Sequence, residues 1–322
     1  MTAELSLAGR LLAIAFASGL NVYATVAVLG LASRLGWGPT LPPGLRGLED
    51  GVVIASATLL FLVEFILDKV PHVDSLWDAI HTFIRPMAAA LLAFAATDGV
   101  PVAIRVGVAT IAGVTALAAH GTKAGLRLAL NTASKRLARL VASLGEDAAA
   151  IAIAITALAF PETAPAVAAA ILAVLLFFGP GLWRPFVFGI RAIAARIRGF
   201  FGGSRWRELD EVPRSLRALV DPPALAAPAP RATRACLSAS RPVGIFRNGW
   251  LVHTDNGMLF LYRSLGRPRR LTLPPIQDAR IRRGLWADSV QCRSDRFQCT
   301  VFLLKDGPEP DLVFPVQTAD AQ

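Results

Sequence analysis

The chain has 322 residues, 54% hydrophobic and 17% charged, with net charge +10 and mean hydropathy +0.52. Soluble domains run nearer a quarter charged, so a single water-soluble globule is excluded. The basic residues bunch beside apolar runs, where they set topology and meet anionic head groups, so the charge does not argue for nucleic acid.

Up to about residue 190 the chain is a string of Ala-, Leu-, Val- and Ile-rich segments, and beyond that it turns polar, Arg-rich and Pro-rich. A helix needs about 20 apolar residues to cross the hydrocarbon. Six spans fit, at 5–33, 48–67, 79–97, 101–120, 146–161 and 165–188. They predict an all-α polytopic membrane bundle over 1–190. Leu5–Ala17 lacks a basic leader and a clear cleavage site, which does not suit a signal peptide.

The first span is too long for a straight crossing, and Ser18-Gly19-Leu20-Asn21 sits in its middle. Gly is poor inside a helix, and Ser or Asn can cap a new one. Gly19, Asn21 and, in the matching place of the second half, Gly121 are the expected helix-break positions. Either a tilted helix or a pair of half-helices, including a re-entrant hairpin, fits the run. A broken span is tolerated only where protein or water satisfies the freed backbone groups.

Orientation follows Lys and Arg in the short loops. Lys123, Arg127, Lys135, Arg136 and Arg139 fall in 123–139 without an acid, and 184–217 holds eight Arg against three acids. Both blocks are expected in the cytoplasm of a bacterium, with the protein in the inner membrane. Six crossings would then place both termini inside. The 34–47 loop, with Arg34 and Arg46, falls outside.

Residues 18–60 are faintly answered by 120–158: Gly19 by Gly121, Ala32-Ser33 by Ala133-Ser134, Glu49-Asp50 by Glu146-Asp147. Three-span halves, 1–98 and 99–190, would be an inverted repeat of the kind found in transporters. Chance similarity in Ala/Leu-rich sequence is the competing explanation.

The most unusual stretch is "EFILDKVPHVDSLWDAIHTFIRP" (64–86). It holds Glu64, Asp68, Lys69, His72, Asp74, Asp78, His81 and Arg85. Glu64 and Asp68 share a helix face at a spacing of four. Pro71 then ends the helix, and Asp74 or Ser75 caps the next, along which Asp78, His81 and Arg85 form a second stripe. Charges at membrane depth face a bundle interior or water. The corner reads as an ion-pair latch, as a proton or cation relay, or, last, as a metal site built on Asp78-x-x-His81. No second Glu-x-x-His appears, so no metal is assigned, and no cofactor either.

"SGLNVYATVAVLGLASRLG" and the D-K-V-P-x-x-D-x-x-W-D-x-I-H-x-F-I-R-P run at 68–86 resemble a bacterial family of multi-pass membrane proteins known only as a domain of unknown function. The resemblance covers roughly 5–190. It implies a membrane fold and no activity.

After the last span, 189–203 reads as a basic amphipathic segment on the inner leaflet, and 220–233 as a Pro/Ala linker. Together, 191–240 is expected to connect. From 241 to 318 the pattern alternates, with Asn248-Gly249 and Asn256-Gly257 as hairpin turns. It predicts six to eight strands in a small barrel or sandwich, with a weak likeness to pleckstrin-homology-like domains. Arg267, Arg269, Arg270, Arg280, Arg282 and Arg283 face solvent, lipid phosphate or an acidic partner. Cys236, Cys292 and Cys299 read as reduced thiols. No nucleotide loop, metalloprotease or nucleophile-elbow motif appears, so an enzyme is the least supported class. The expectation is a transporter or flippase for a small solute or lipid-linked head group. The alternative is a membrane scaffold or sensor whose β domain binds a protein or lipid head groups.

Overall fold

The computed structural model describes residues 2–70, 73–132, 136–202, 205–220, 230–239, 245–254, 257–274, 276, 278–294 and 297–314. The chain divides into two units, Met1–Phe186 and Val187–Gln322.

In the first unit the long initial run is two helices, α1 (Thr2–Leu20) and α2 (Val22–Arg34). Asn21 between them is extended, with φ −155° and ψ 101°, and its side chain accepts from the Ala24 N–H. The two helices fold back on each other. Near the start of α1, Ser6 donates to the Pro161 carbonyl at 2.6 Å and Arg10 to the Ala157 carbonyl at 2.9 Å. Just past α2, Gly38 lies against the backbone of Leu158. A straight helical path from residue 10 to residue 38 would span about 40 Å at 1.5 Å per residue. Both instead reach the same turn of one helix. The first apolar run is a re-entrant hairpin with Asn21 at its tip.

A 3-10 turn (Pro43–Glu49) leads to α3 (Gly51–Leu67), whose N-cap Asp50 accepts from the Val52 N–H at 2.7 Å. Next come α4 (Val73–Ala96), α5 (Val102–Thr132), α6 (Arg136–Ala159) and α7 (Ala164–Gly202). Four of these, α4 to α7, are long and apolar enough to cross a membrane, and five if α3 with its bent 3-10 lead is one span. Gly44 packs on Ala95 and Gly38 on Leu158, which puts the 35–50 connection at the end of the bundle where α4 and α6 finish. The end of α3, the start of α4, the end of α5 and the start of α6 form the opposite end.

Three expectations are corrected here. Residues 5–33 are not one straight helix, and α1 starts at the bundle end opposite the end of α5 and the start of α6. Gly121 breaks nothing: α5 is continuous, and the space where a Cβ would sit is filled by the rings of Trp183 and Phe186. The halves therefore differ where they were expected to match, a hairpin being answered by a straight helix.

In the second unit the strands are β1 (Arg207–Glu208), β2 (Arg231–Ala239), β3 (Arg247–Thr254), β4 (Gly257–Ser264), β5 (Arg267–Thr272), β6 (Asp278–Arg282), β7 (Ala287–Ser294) and β8 (Phe297–Leu304). They form one open antiparallel sheet in the order β5-β4-β3-β2-β8-β7-β6, with β1 on β2. Leu237, Leu251, Phe260, Val290, Val301 and Leu303 fill its core. The anticipated barrel or sandwich is thus a single sheet among the described residues. Its central strand β2 lies in the stretch read as linker. Asn248-Gly249 makes no turn: it lies inside β3, Gly249 opposite Tyr262, where a Cβ would strike the Leu261 carbonyl and the Phe260 ring. Thr254 does pair with Gly257, closing the β3–β4 hairpin around residues 255–256, which are outside the described ones. The basic 189–203 stretch is no separate surface helix. It continues α7, and Phe188 packs on Phe246 and Phe302 while Arg198 pairs with Asp306 at 3.0 Å.

Candidate functional site

The corner charges converge inside the first unit. Glu64, Asp68, Asp78, His81 and Arg85 are all buried. Glu64 lies in the last turn of α3 and Asp68 is its C-cap, one turn apart on one face. Asp78, His81 and Arg85 follow the stripe of α4. The facing groups come from elsewhere: His120, Lys123 and Arg127 from α5, Glu146 and Asp147 from α6, and the tip of the hairpin.

Arg127 binds Asp68 through both guanidinium nitrogens, at 2.9 and 2.8 Å, and reaches Asp78 more loosely at 3.3 and 3.2 Å. Arg85 pairs with Glu64 in a short contact. It also donates to the Gly19 carbonyl at 3.0 Å and to His120 Nδ1 at 2.9 Å. Lys123 Nζ donates to the Leu20 carbonyl at 2.9 Å and sits 3.4 Å from Glu64. The Asn21 amide donates to Asp147 Oδ1 at 3.0 Å.

The hairpin explains the first two backbone contacts. A helix ends with carbonyls that have no intrahelical partner and with a partial negative charge. At α1 these are the carbonyls of Gly19 and Leu20, and two buried cations satisfy them. Gly19 also has to be glycine for packing, because a Cβ there would run into the Ala116 carbonyl of α5.

The partners of the two imidazoles differ in what they fix. Arg85 can only donate, so His120 Nδ1 accepts, and Nε2–H donates to the Asp78 carbonyl at 2.9 Å. His81 Nδ1–H donates to the Trp77 carbonyl at 2.8 Å, and Nε2 is hydrogen-bonded with the Tyr23 hydroxyl at 3.1 Å. With both its nitrogens engaged, His81 does not serve the metal alternative. Among the described residues, no group of three or more His, Cys, Asp or Glu is placed to hold a metal ion.

The remaining expected members fall differently. Lys69 donates to the Phe65 carbonyl at 2.7 Å and lies 3.1 Å over the Phe65 ring, and no ion pair of it is seen among the described residues. Asp74 is buried at the start of α4, and His72 lies outside the described residues. Asn21 is the hairpin tip, and Gly121 is an interior position of α5.

Sequence reasoning missed the α5 and α6 contributions. Lys123 and Arg127 were assigned to the basic topology block. His120, Lys123 and Arg127 nevertheless carry the same three-and-four spacing that marked Asp78, His81 and Arg85, and that signal was available. Among the described residues, Glu64, Asp68, Asp78, Glu146 and Asp147, all buried or nearly so, are gathered with the cations Arg85, Lys123 and Arg127, and Asp74 is a further buried carboxylate at the start of α4. Glu64 Oε2, Glu146 Oε2 and Asp147 Oδ2 have no hydrogen-bond partner among the described residues.

No curated protein and no solved structure matches the chain. One family profile does, over residues 9–180, more than half of the sequence and every residue of the ionic cluster. The chain therefore belongs to the family described as "Domain of unknown function (DUF4126)".

Proposed function

We propose that the first unit is a transporter or flippase for a small solute or a lipid-linked head group, in a bacterial inner membrane with its polar end toward the cytoplasm. The observation that carries this is the re-entrant hairpin ending in a buried ionic cluster. Half-helix ends at mid-bundle are a recurring way to build ion and substrate sites. A purely structural cluster of this size is a costly way to hold helices together, since desolvating each charge offsets much of the pairing. The pairing of the two halves plays no part in the argument, because α5 lacks the hairpin. The activity proposed is binding and translocation, without bond chemistry.

The C-terminal unit fits a recognition role beside this. Arg267 and Arg269 are exposed on the edge strand β5, which suits an acidic partner protein or lipid head groups.

Access to the hairpin tip tests the reading. Ser18 is fully buried beside the tip, and its hydroxyl has no partner among the described residues. A Ser18→Cys variant is exposed to a membrane-impermeant maleimide in right-side-out and in inside-out vesicles. A carrier is modified in both, with proportions that shift under an imposed ion gradient. Protection in both orientations would favour the scaffold.

A further inference from the structure

Lys123 is the only one of the three buried cations that ends in a compact point charge, and its surroundings are those of a bound ion. The Leu20 carbonyl lies 2.9 Å from Nζ, Glu64 Oε1 3.4 Å, Asp68 Oδ2 3.5 Å and Glu146 Oε2 3.9 Å. The carbonyl belongs to a half-helix C-terminus, and the three carboxylates come from the end of α3 and from α6. Oxygen ligands of this kind, at the negative end of a broken helix, are what hard monovalent cations take. Only one of these four contacts is a close hydrogen bond, although an ammonium has three donors. Glu64 Oε2 is buried without a hydrogen-bond partner among the described residues, and Glu146 Oε2 has only the long ion-pair contacts to Lys123 at 3.9 Å and Arg127 at 3.6 Å. The oxygens thus surround the ammonium as a shell surrounds an ion.

We propose that this is a monovalent-cation site whose ion is the Lys123 ammonium, carried on the chain. Its functional meaning rests on the transport reading above: the protein would hold its coupling charge on a tether and take no free Na+ or K+ there. The lysine stem reaches the site from the α5 turn that also supplies His120 and Arg127. Arg85 shares Glu64 Oε1 with Lys123, and Arg127 shares Asp68 Oδ2, with Asp78 on the far side of Arg127.

The test is binding, read apart from any flux. Lys123→Ala is purified in a N-methylglucamine buffer and its unfolding midpoint is followed against methylammonium, Na+ and K+. The midpoint is expected to fall relative to the unaltered protein and then to rise saturably with methylammonium, Na+ or K+, whichever fits the freed space. The unaltered protein should show no such rise. A double variant, Lys123→Ala with Glu64→Gln, removes one charge of each sign but leaves Arg85 without its carboxylate; its midpoint should lie below that of Lys123→Ala, and most of the cation response should be lost. A folded Lys123→Ala that ignores all three cations overturns the proposal. So does an equal response in the unaltered protein. If neither variant accumulates folded, the lysine acts through the packing of its stem, and the proposal again fails. A positive outcome here with a protected Ser18→Cys would leave the cation site standing and the transport reading refuted.

Discussion

At the scale of single residues the cluster ranks its own members. Arg127 holds Asp68 by two close bonds and Asp78 by two longer ones. Removing one partner of a buried pair costs about 3–5 kcal/mol, because the other charge stays buried. Asp68→Ala should therefore reach that range, and Asp78→Ala should fall below it. Asp98→Ala should stay within about 0.5 kcal/mol, as surface changes usually do, since Asp98 is half exposed and pairs with Arg105 at only 3.4 Å. Unfolding midpoints in one detergent give the order, and an Asp98 effect as large as that of Asp68 would contradict the burial argument. Glu64→Gln is a poorer probe than the sequence suggests. Glu64 meets both Arg85 and Lys123, so its loss disturbs two pairs and mixes latch with relay. The reason the α5 partners escaped notice is physical. A Lys or Arg near a helix end is equally good as a topology signal and as a buried counter-ion, and only the facing helix decides between them. Local spacing could reveal both stripes, whereas the meeting of stripes is a tertiary fact.

At the scale of elements, close approach is written in glycines on α5. Gly125 abuts the Leu182 carbonyl of α7, whereas a Cβ added at Gly107 on the same helix would meet nothing within 4 Å. Gly125→Ala must separate two backbones, and overpacking of this sort costs typically about 1–3 kcal/mol. Gly107→Ala only gains helix propensity and should be neutral or stabilising by about 0.5–1 kcal/mol. Paired thermal scans check this, and equal effects would show that α5 and α7 do not meet as described. The same comparison shows what was legible. Asn21 carried a specific signal, because an Asn side chain can cap a new helix, and the break is there with that cap made. Gly121 carried only the weaker signal of helix propensity, which packing routinely overrides. The strand alternation likewise marked the sheet. It could not place β2, whose Arg231–Ala239 sequence, RATRACLSA, is small and mixed, and which becomes a central strand through its pairing with β3 and β8.

At the scale of the whole molecule, the hairpin decides on which face the chain begins. One crossing fewer than the hydropathy pattern suggests moves the N-terminus to the bundle end that holds the 96–102 and 159–164 turns. The end of α5 and the start of α6 lie at the other end, together with Asp68 and the start of α4. Cysteine labelling can read this without interference if the native thiols stay silent. Cys236, Cys292 and Cys299 are unpaired and buried in the second unit, and burial pushes the Cys236 thiol well above its ordinary range, away from the reactive thiolate. The unaltered protein in intact cells should thus take up no maleimide until it is denatured. Against that background, Asp98→Cys and a cysteine added ahead of Thr2 should be modified by an impermeant reagent in the same preparation. Ser134→Cys, in the connection between α5 and α6, should be modified only in the opposite one. If the N-terminal cysteine labels with Ser134→Cys instead, the first run crosses the membrane after all. The Gly19 and Leu20 carbonyls would then belong to a kinked span, and the half-helix end that the cation site depends on would not exist.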